Sequence, residues 1–293
     1  MIKGRFRKFW ILGALLLLAS CSQSAYVGGN SNDDNTTDNE PQESVEYSWT
    51  ELPEQETNTA YQYITHFTTL NNGTSVRNYT MCYDTKNYAA RWVAYPYHSI
   101  YSGSVSRTDD WGYDPQIETQ YQPNLTGSYS GDWDRGHQLA SADRLATVEM
   151  NQQTFYYTNM TPQLNTLNQN VWADLESAVR KQVCSDTLYI VTGADYSSTI
   201  GTTTDKSGKE CPIPRGYYKV LLRTVSGNSG KAVAECSASE LKAIGYWFDH
   251  QNYSSIPDPV SVATIEQMTG FTFFPTIPDE VKSTFNKSLW SIE

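Results

Sequence analysis

The string Asp134-Arg135-Gly136-His137 brings an acid, a guanidinium, a permissive backbone position and an imidazole within four residues of one another. These are the parts that phosphate chemistry needs. Arginine grips phosphate oxygens as a planar fork, and histidine takes up a proton near neutral pH. Taken alone, the string also fits a structural turn closed by a salt bridge. The other three histidines have plainer readings. His66 and His98 lie among aromatic and β-type residues, where a structural ring is expected. His250 follows a segment read as a helix, whose C-terminus it would cap.

A second group follows. Asn159-Met160-Thr161-Pro162-Gln163 leads through Leu167 into a helical stretch that opens with Asn168 and carries Glu176 two turns later. Asn168, Trp172 and Glu176 are four residues apart, so they occupy neighbouring positions along a helix surface. A carboxamide oxygen is a neutral ligand suited to a hard cation that keeps most of its waters, as magnesium does. Read singly, Asn168 is a helix cap and Glu176 a solvated surface acid.

The elements that must position these residues read as a mixture. Arg77 to Tyr95 predicts two strands with a turn near Asp84 to Asn87, and Tyr101 to Gly131 is dense in Gly, Pro and Asp, as in a long loop. Phe155 to Thr158 is a short aromatic strand candidate. Asn168 to Val183 places Trp172, Leu175, Val179 and Val183 at helical spacing. Thr187 to Thr192 and Tyr217 to Arg223 read as strands, and Ser239 to Asp249 as a helix. The sum is an α+β fold around a largely antiparallel sheet.

In this order the segments resemble the DNA/RNA non-specific endonucleases of the Serratia-nuclease and endonuclease G type, built on a ββα-metal motif. The resemblance rests on D-R-G-H at 134–137, N-x-T-P-Q at 159–163 and L-N-Q with W-x-x-L-E over 167–176. W-V-A-Y at 92–95, T-L-Y-I-V-T-G at 187–193 and G-F-T-F-F-P at 270–275 extend it over nearly the whole domain. It implies a magnesium-dependent enzyme, with manganese as an alternative metal, that cuts DNA and RNA to 5′-phosphate and 3′-hydroxyl ends. By the same resemblance His137 is the general base, Asn168 the direct protein ligand of the metal, and Glu176 the holder of water in the metal's shell. Arg135 steadies the phosphate, while Asp134, Asn159 and Gln163 support the site. The family also places an arginine shortly before the W-V-A-Y segment. Tyr88 stands there in this chain, with Lys86 and Arg91 nearby, which leaves the second phosphate-clamping cation unassigned. Some members dimerise, and the oligomeric state is left open.

Composition alone argues the other way on partners. The 293-residue chain has 21 basic and 32 acidic residues, a formal charge of −11. Residues 1–20 carry four of those basic residues ahead of a short apolar run, and read as a signal peptide. Leu18-Ala19-Ser20-Cys21 resembles a bacterial lipobox, which implies export and an acyl anchor on Cys21 that holds the protein at a bacterial membrane, the outer membrane or cell surface. Without the leader the balance is −15, so no long-range field draws in nucleic acid, and phosphate contacts should be few. Residues 21–59 read as an acidic linker, disordered at least over its Ser, Asn and Gly-rich first half, and 60–293 as one domain. Four further cysteines in an oxidising compartment suggest two disulfides, with Cys211–Cys236 and Cys82–Cys184 favoured among three pairings. Two other readings stand beside the nuclease. A surface protein binding glycans or another polymer would use the 21 Tyr and 8 Trp for stacking, and a related phosphodiesterase would act on a non-nucleic substrate.

Overall fold

Strand-forming residues dominate the middle of the chain, and they pair in long antiparallel ladders. The structure is a computed structural model and describes residues 49–292; the leader, Cys21 and the linker up to residue 48 lie outside the described residues. One six-stranded sheet runs in the order β1 (Tyr61–Thr69), β2 (Ser75–Asp84), β3 (Ala89–Tyr97), β6 (Leu188–Thr204), β7 (Glu210–Thr224), β8 (Leu241–Asp249). Every pairing in it is antiparallel. A separate two-stranded ribbon joins β4 (Trp133–His137) to β5 (Met160–Leu164).

Both faces of the large sheet are covered, so its strands read as near-continuous buried runs rather than alternations. Val93, Tyr95, Ile190, Tyr217, Leu221 and Phe248 look toward one face, where Leu167, Val171, Trp172, Leu175 and Val179 pack on them. Trp92, Val191, Tyr218, Val220 and Leu222 look the other way, onto Ile265 of α4 (Val262–Thr269), Val281 of α5 (Asp279–Ser283) and the Phe271–Phe274 segment. The tyrosines counted for stacking are largely spent here. Tyr79, Tyr83, Tyr95, Tyr217, Tyr218 and Tyr246 are among the most deeply buried side chains.

Three local expectations are corrected. The Ser239–Asp249 segment is not a helix: Leu241–Asp249 form the edge strand β8, fixed by nine residue pairs with β7, and Gly245 inside it disfavours a helix. Phe155–Thr158 is not a strand but lies across two tight 3-10 turns (Gln153–Phe155 and Tyr157–Asn159), and the strand starts at Met160. The predicted disulfides are absent, and Cys82, Cys184, Cys211 and Cys236 are all free. Cys211 sits in a cluster with Leu125, Tyr129 and Met160, while Cys236 packs against a different cluster that contains Cys82. Burial pushes the Cys82 and Cys211 thiols up to about 12, which leaves them inert.

Residues before position 60 also pack on the domain. Glu51 is fully buried and ion-paired with Arg77, whose guanidinium lies over Trp49, and the Glu54 amide donates to the Thr272 carbonyl. Linker-like composition did not reveal these contacts, because single polar residues anchor the segment.

Candidate active site

The β4–β5 ribbon and the helix that follows it form the frame. In register, Asp134 faces Gln163, Arg135 faces Pro162, Gly136 faces Thr161 and His137 faces Met160. Gly136 is required by close approach. A Cβ built there would stand 2.5 Å from the Gln163 Cβ, an atom fixed by the opposite strand. Gly136→Ala is therefore expected to lower stability by about 1–3 kcal/mol through overpacking, read by thermal or urea unfolding.

The helix is not uniform. One α-turn, α2 (Asn165–Leu167), passes into a π-helical turn (Asn168–Trp172) and then into α3 (Ala173–Arg180). In a regular α-helix eight residues overshoot two turns, so positions 168 and 176 would diverge by about 80°. The wider π-turn absorbs the excess, and such insertions recur at functional sites. Trp172 turns into the core and is 1% exposed, whereas Asn168 and Glu176 both line a cleft. The three residues thus do not share one face, and the break separates core from site.

The cleft has a volume of about 470 Å³, and Asp134, Arg135, His137, Asn168 and Glu176 all line it, joined by Arg107 and Trp111. A larger hollow of about 560 Å³ opens beside β8 and α5, but its walls mix apolar residues with single polar ones and no comparable set converges there. Asp134 Oδ2 accepts from Asn168 Nδ2 at 2.9 Å and from Gln169 Nε2 at 2.8 Å. The Asn168 amide nitrogen is thereby committed, which leaves its carbonyl oxygen as the open end of the side chain.

His137 stands between aromatic rings, with Trp111 at 5.4 Å and Phe155 at 5.3 Å, both edge-on. Its Nε2 is buried and has no hydrogen-bond partner. Burial, then the neighbouring Arg107 and Arg135, drive its pKa down to about 3 against a hydrogen bond to the Arg135 backbone. The ring is neutral at any physiological pH and has a free lone pair.

Arg107 is a second arginine in the cleft, which the sequence reading did not single out. Lys86 and Arg91 are elsewhere: the Lys86 amide donates to Asp84, and Arg91 bonds the Tyr61 hydroxyl beside Phe271. Arg107 pairs with Asp109 at 2.7 Å, donates to Ser141 Oγ at 2.9 Å and lies over the Phe155 ring. Arg135 stacks on Trp111, its guanidinium carbon 3.5 Å from the ring centre, and its Nη1 donates to the Leu125 carbonyl. Two guanidiniums thus meet at one indole. Buried Asn151 fixes the loop that delivers Arg107, accepting from the Thr108 amide and hydroxyl and donating to the Ser141 and Arg144 carbonyls. No periodicity marks such a loop, and its only trace along the chain is an arginine four residues before a tryptophan.

Asn159 and Gln163 are both fully buried. Asn159 accepts from the Leu139 amide and donates to the Leu139 and Thr154 carbonyls, holding the end of β4. Gln163 is buried against Gly136. Among the other histidines, His66 is a buried partner of Asp114 at 2.9 Å, and His98 caps a 3-10 turn. His250 caps no helix: it follows β8, accepts from the Leu164 amide on Nε2 and bonds the Pro214 carbonyl through Nδ1.

Comparison with known proteins identifies the family. The family model for DNA/RNA non-specific endonucleases matches residues 56–280. The nuclease of Serratia marcescens is 32% identical over 218 residues, covering 70% of this chain and 76% of that protein. A Nostoc nuclease is 27% identical over 221 residues, covering 72% and 76%. The crystal structure of an EndoG/EndoGI complex shares the fold, with a TM-score of 0.56, 22% identity, and coverage of 76% of this chain and 90% of that one. The chain belongs to the DNA/RNA non-specific endonuclease family, hydrolases of nucleic-acid phosphodiester bonds.

Proposed function

We propose that this protein is a magnesium-dependent endonuclease that cuts DNA and RNA without sequence preference, leaving 5′-phosphate and 3′-hydroxyl ends. One observation carries the reading: a neutral imidazole, two arginines, a tied-back carboxamide and a carboxylate line a single cleft. The donor set fits a hard, hydrated cation. Asn168 offers one neutral oxygen, and among the described residues no group of three or more His, Cys, Asp or Glu forms a protein cage. Asn168 would hold the cation, with Asp134 orienting it and Glu176 facing its water shell. When bound, the cation neutralises charge at the phosphate and assists the leaving 3′ oxygen.

The chain's own residues supply the rest. His137 accepts a proton from a water lined up opposite that leaving oxygen, which places the new bond on the 5′-phosphate. Arg107 and Arg135 take the non-bridging phosphate oxygens. All these contacts are to phosphate and carry no base information, so both sugars and any sequence are accepted. Digestion of plasmid DNA and of RNA with magnesium, against a chelator control, tests the proposal; undegraded substrates with magnesium present refute it. For Arg107→Ala we expect kcat/KM on a defined oligonucleotide to fall roughly 10–100-fold, the worth of a charged hydrogen bond. Export as a lipoprotein anchored through Cys21 is part of the same proposal, tested by acyl labelling of the wild type and Cys21→Ala.

A further inference from the structure

An aromatic surface continues outward from the cleft wall. Gly112 pairs with Tyr156 in a short parallel bridge, its amide donating to the Phe155 carbonyl and its carbonyl accepting from the Tyr157 amide at 2.8 Å. The two neighbours of a bridged residue point to one side of a strand, so Trp111 and Tyr113 stand in step with Phe155 and Tyr157. The rings meet accordingly, Trp111 with Phe155 at 4.8 Å and Tyr113 with Tyr157 at 5.1 Å. Trp111 lines the cleft. Tyr113 stands one strand repeat, about 6–7 Å, along from it, and is 41% exposed. Its contact with Tyr157 is near-perpendicular, at 76°. Whichever ring presents its edge, Tyr157 leaves at least one face of Tyr113 uncovered.

A cation lies beyond it. The Tyr157 hydroxyl reaches Thr126 Oγ1 at 3.3 Å. The next residue, Gly127, touches the stem of Lys206, whose Cδ is 3.7 Å from where a Cβ would stand. Ser128, one residue further, is already in the cleft wall. Lys206 is exposed in the turn between β6 and β7, and its amide donates to the Asn124 carbonyl. Among the described residues it belongs to no ion pair. The acid beside it is committed elsewhere, since Asp205 accepts from the Asn124, Ser207 and Lys209 amides.

We propose that Tyr113 and Lys206 extend the cleft into a track for an unpaired strand: a base next to the scissile phosphate stacks on the open face of Tyr113, and Lys206 takes a backbone phosphate beyond it. The track deepens the nuclease reading of the cleft and rests on it. Aromatic faces alternating with cations are the means by which proteins hold single strands without reading sequence, because every base has a face to stack. In a duplex those faces are already covered by neighbouring base pairs. The cleft's phosphate contacts serve both forms of nucleic acid alike, whereas Tyr113 serves only the unpaired one, so single strands and loops are the preferred substrates.

The test uses the full chain as wild type, Tyr113→Ala, Tyr113→Phe and Lys206→Gln. Fluorescence anisotropy, with chelator present, measures binding of a labelled single strand, a duplex of the same sequence and an abasic strand of the same length. Tyr113→Ala should bind the single strand roughly 5–100-fold more weakly, the effect of one lost base–aromatic stack, and should change the other two by less than about twofold. Tyr113→Phe keeps the ring and should match wild type. In Lys206→Gln the slope of log affinity against log salt should fall by about 0.7 on the single strand, the loss of one phosphate contact. With magnesium, KM on the single strand should follow the binding constants while kcat does not, and where binding without metal is too weak to measure, this comparison decides by the same criterion. Equal losses on all three ligands, or no loss, in a Tyr113→Ala that melts like wild type overturns the proposal, as does an unchanged salt slope in Lys206→Gln. Selective strand binding without cleavage of any nucleic acid would instead sink the nuclease reading, and cleavage without selectivity would sink the track alone.

Discussion

His137→Ala should lose about 10²–10⁴-fold in kcat/KM, the range for removal of a general base, and should still fold. The folding half of this expectation follows from what the ring touches. The substitution forfeits two edge-on contacts, with Trp111 and Phe155, each worth about 0.5–1.5 kcal/mol. It also removes an unpartnered buried nitrogen, a group whose burial is unfavourable by about 1–3 kcal/mol. The two effects nearly offset. Melting curves that overlay, with cleavage abolished, is the expected pair of results; a folded variant that cuts at the wild-type rate excludes His137 as the base.

A base held near pKa 3 in the free protein is a weak one, and the site contains the remedy. After burial, the main influence lowering it is Arg107, with Arg135 acting in the same sense. A phosphate bound by both guanidiniums cancels that repulsion. The imidazole then becomes more basic when substrate is present, and stays neutral when it is absent. The sign is fixed: because the folded pKa lies below the ordinary value near 6.5, acidification toward neutrality from above does not protonate His137. Loss of activity as pH falls through 7 should therefore trace to Glu176, raised to about 7, and Glu176→Gln should flatten that limb.

The residues that line the cleft were more legible than the frame that carries them. Asp134, Arg135, His137, Asn168 and Glu176 could be named because their chemistry is local and their order is rigid: β4, β5 and the following helix are contiguous, so sequence spacing maps onto space. Arg107 could not. It reaches the cleft from a loop fastened by Asn151, which is 44 residues further on, and tertiary hydrogen bonds of this kind leave no periodic trace. β8 was misread for a related cause. Leu241, Ile244 and Phe248 fall at helix-like intervals, yet both faces of the strand are buried, so the alternation that would have revealed it is absent.

Asn168→Ala should abolish metal-dependent cleavage, and Asp134→Ala should weaken it by about 10–100-fold, the usual effect of removing a residue that orients a metal ligand. The two are ranked by geometry. Asp134 would act on the cation only through Asn168, whose carboxamide nitrogen it grips at 2.9 Å. Without that grip the amide is free to rotate, and its donor and acceptor ends compete for the same position. Gln169, held by the same carboxylate oxygen at 2.8 Å, would be released with it. Magnesium titrations of cleavage should then show a higher half-saturating concentration for Asp134→Ala, with much of the maximal rate recovered at saturation. Asn168→Ala should show less recovery, because the ligand itself is removed rather than loosened. Calorimetric titration with magnesium, in the absence of nucleic acid, should show the same order of affinities. Equal losses in the two variants, or full rescue of Asn168→Ala by excess metal, would place the cation on other ligands.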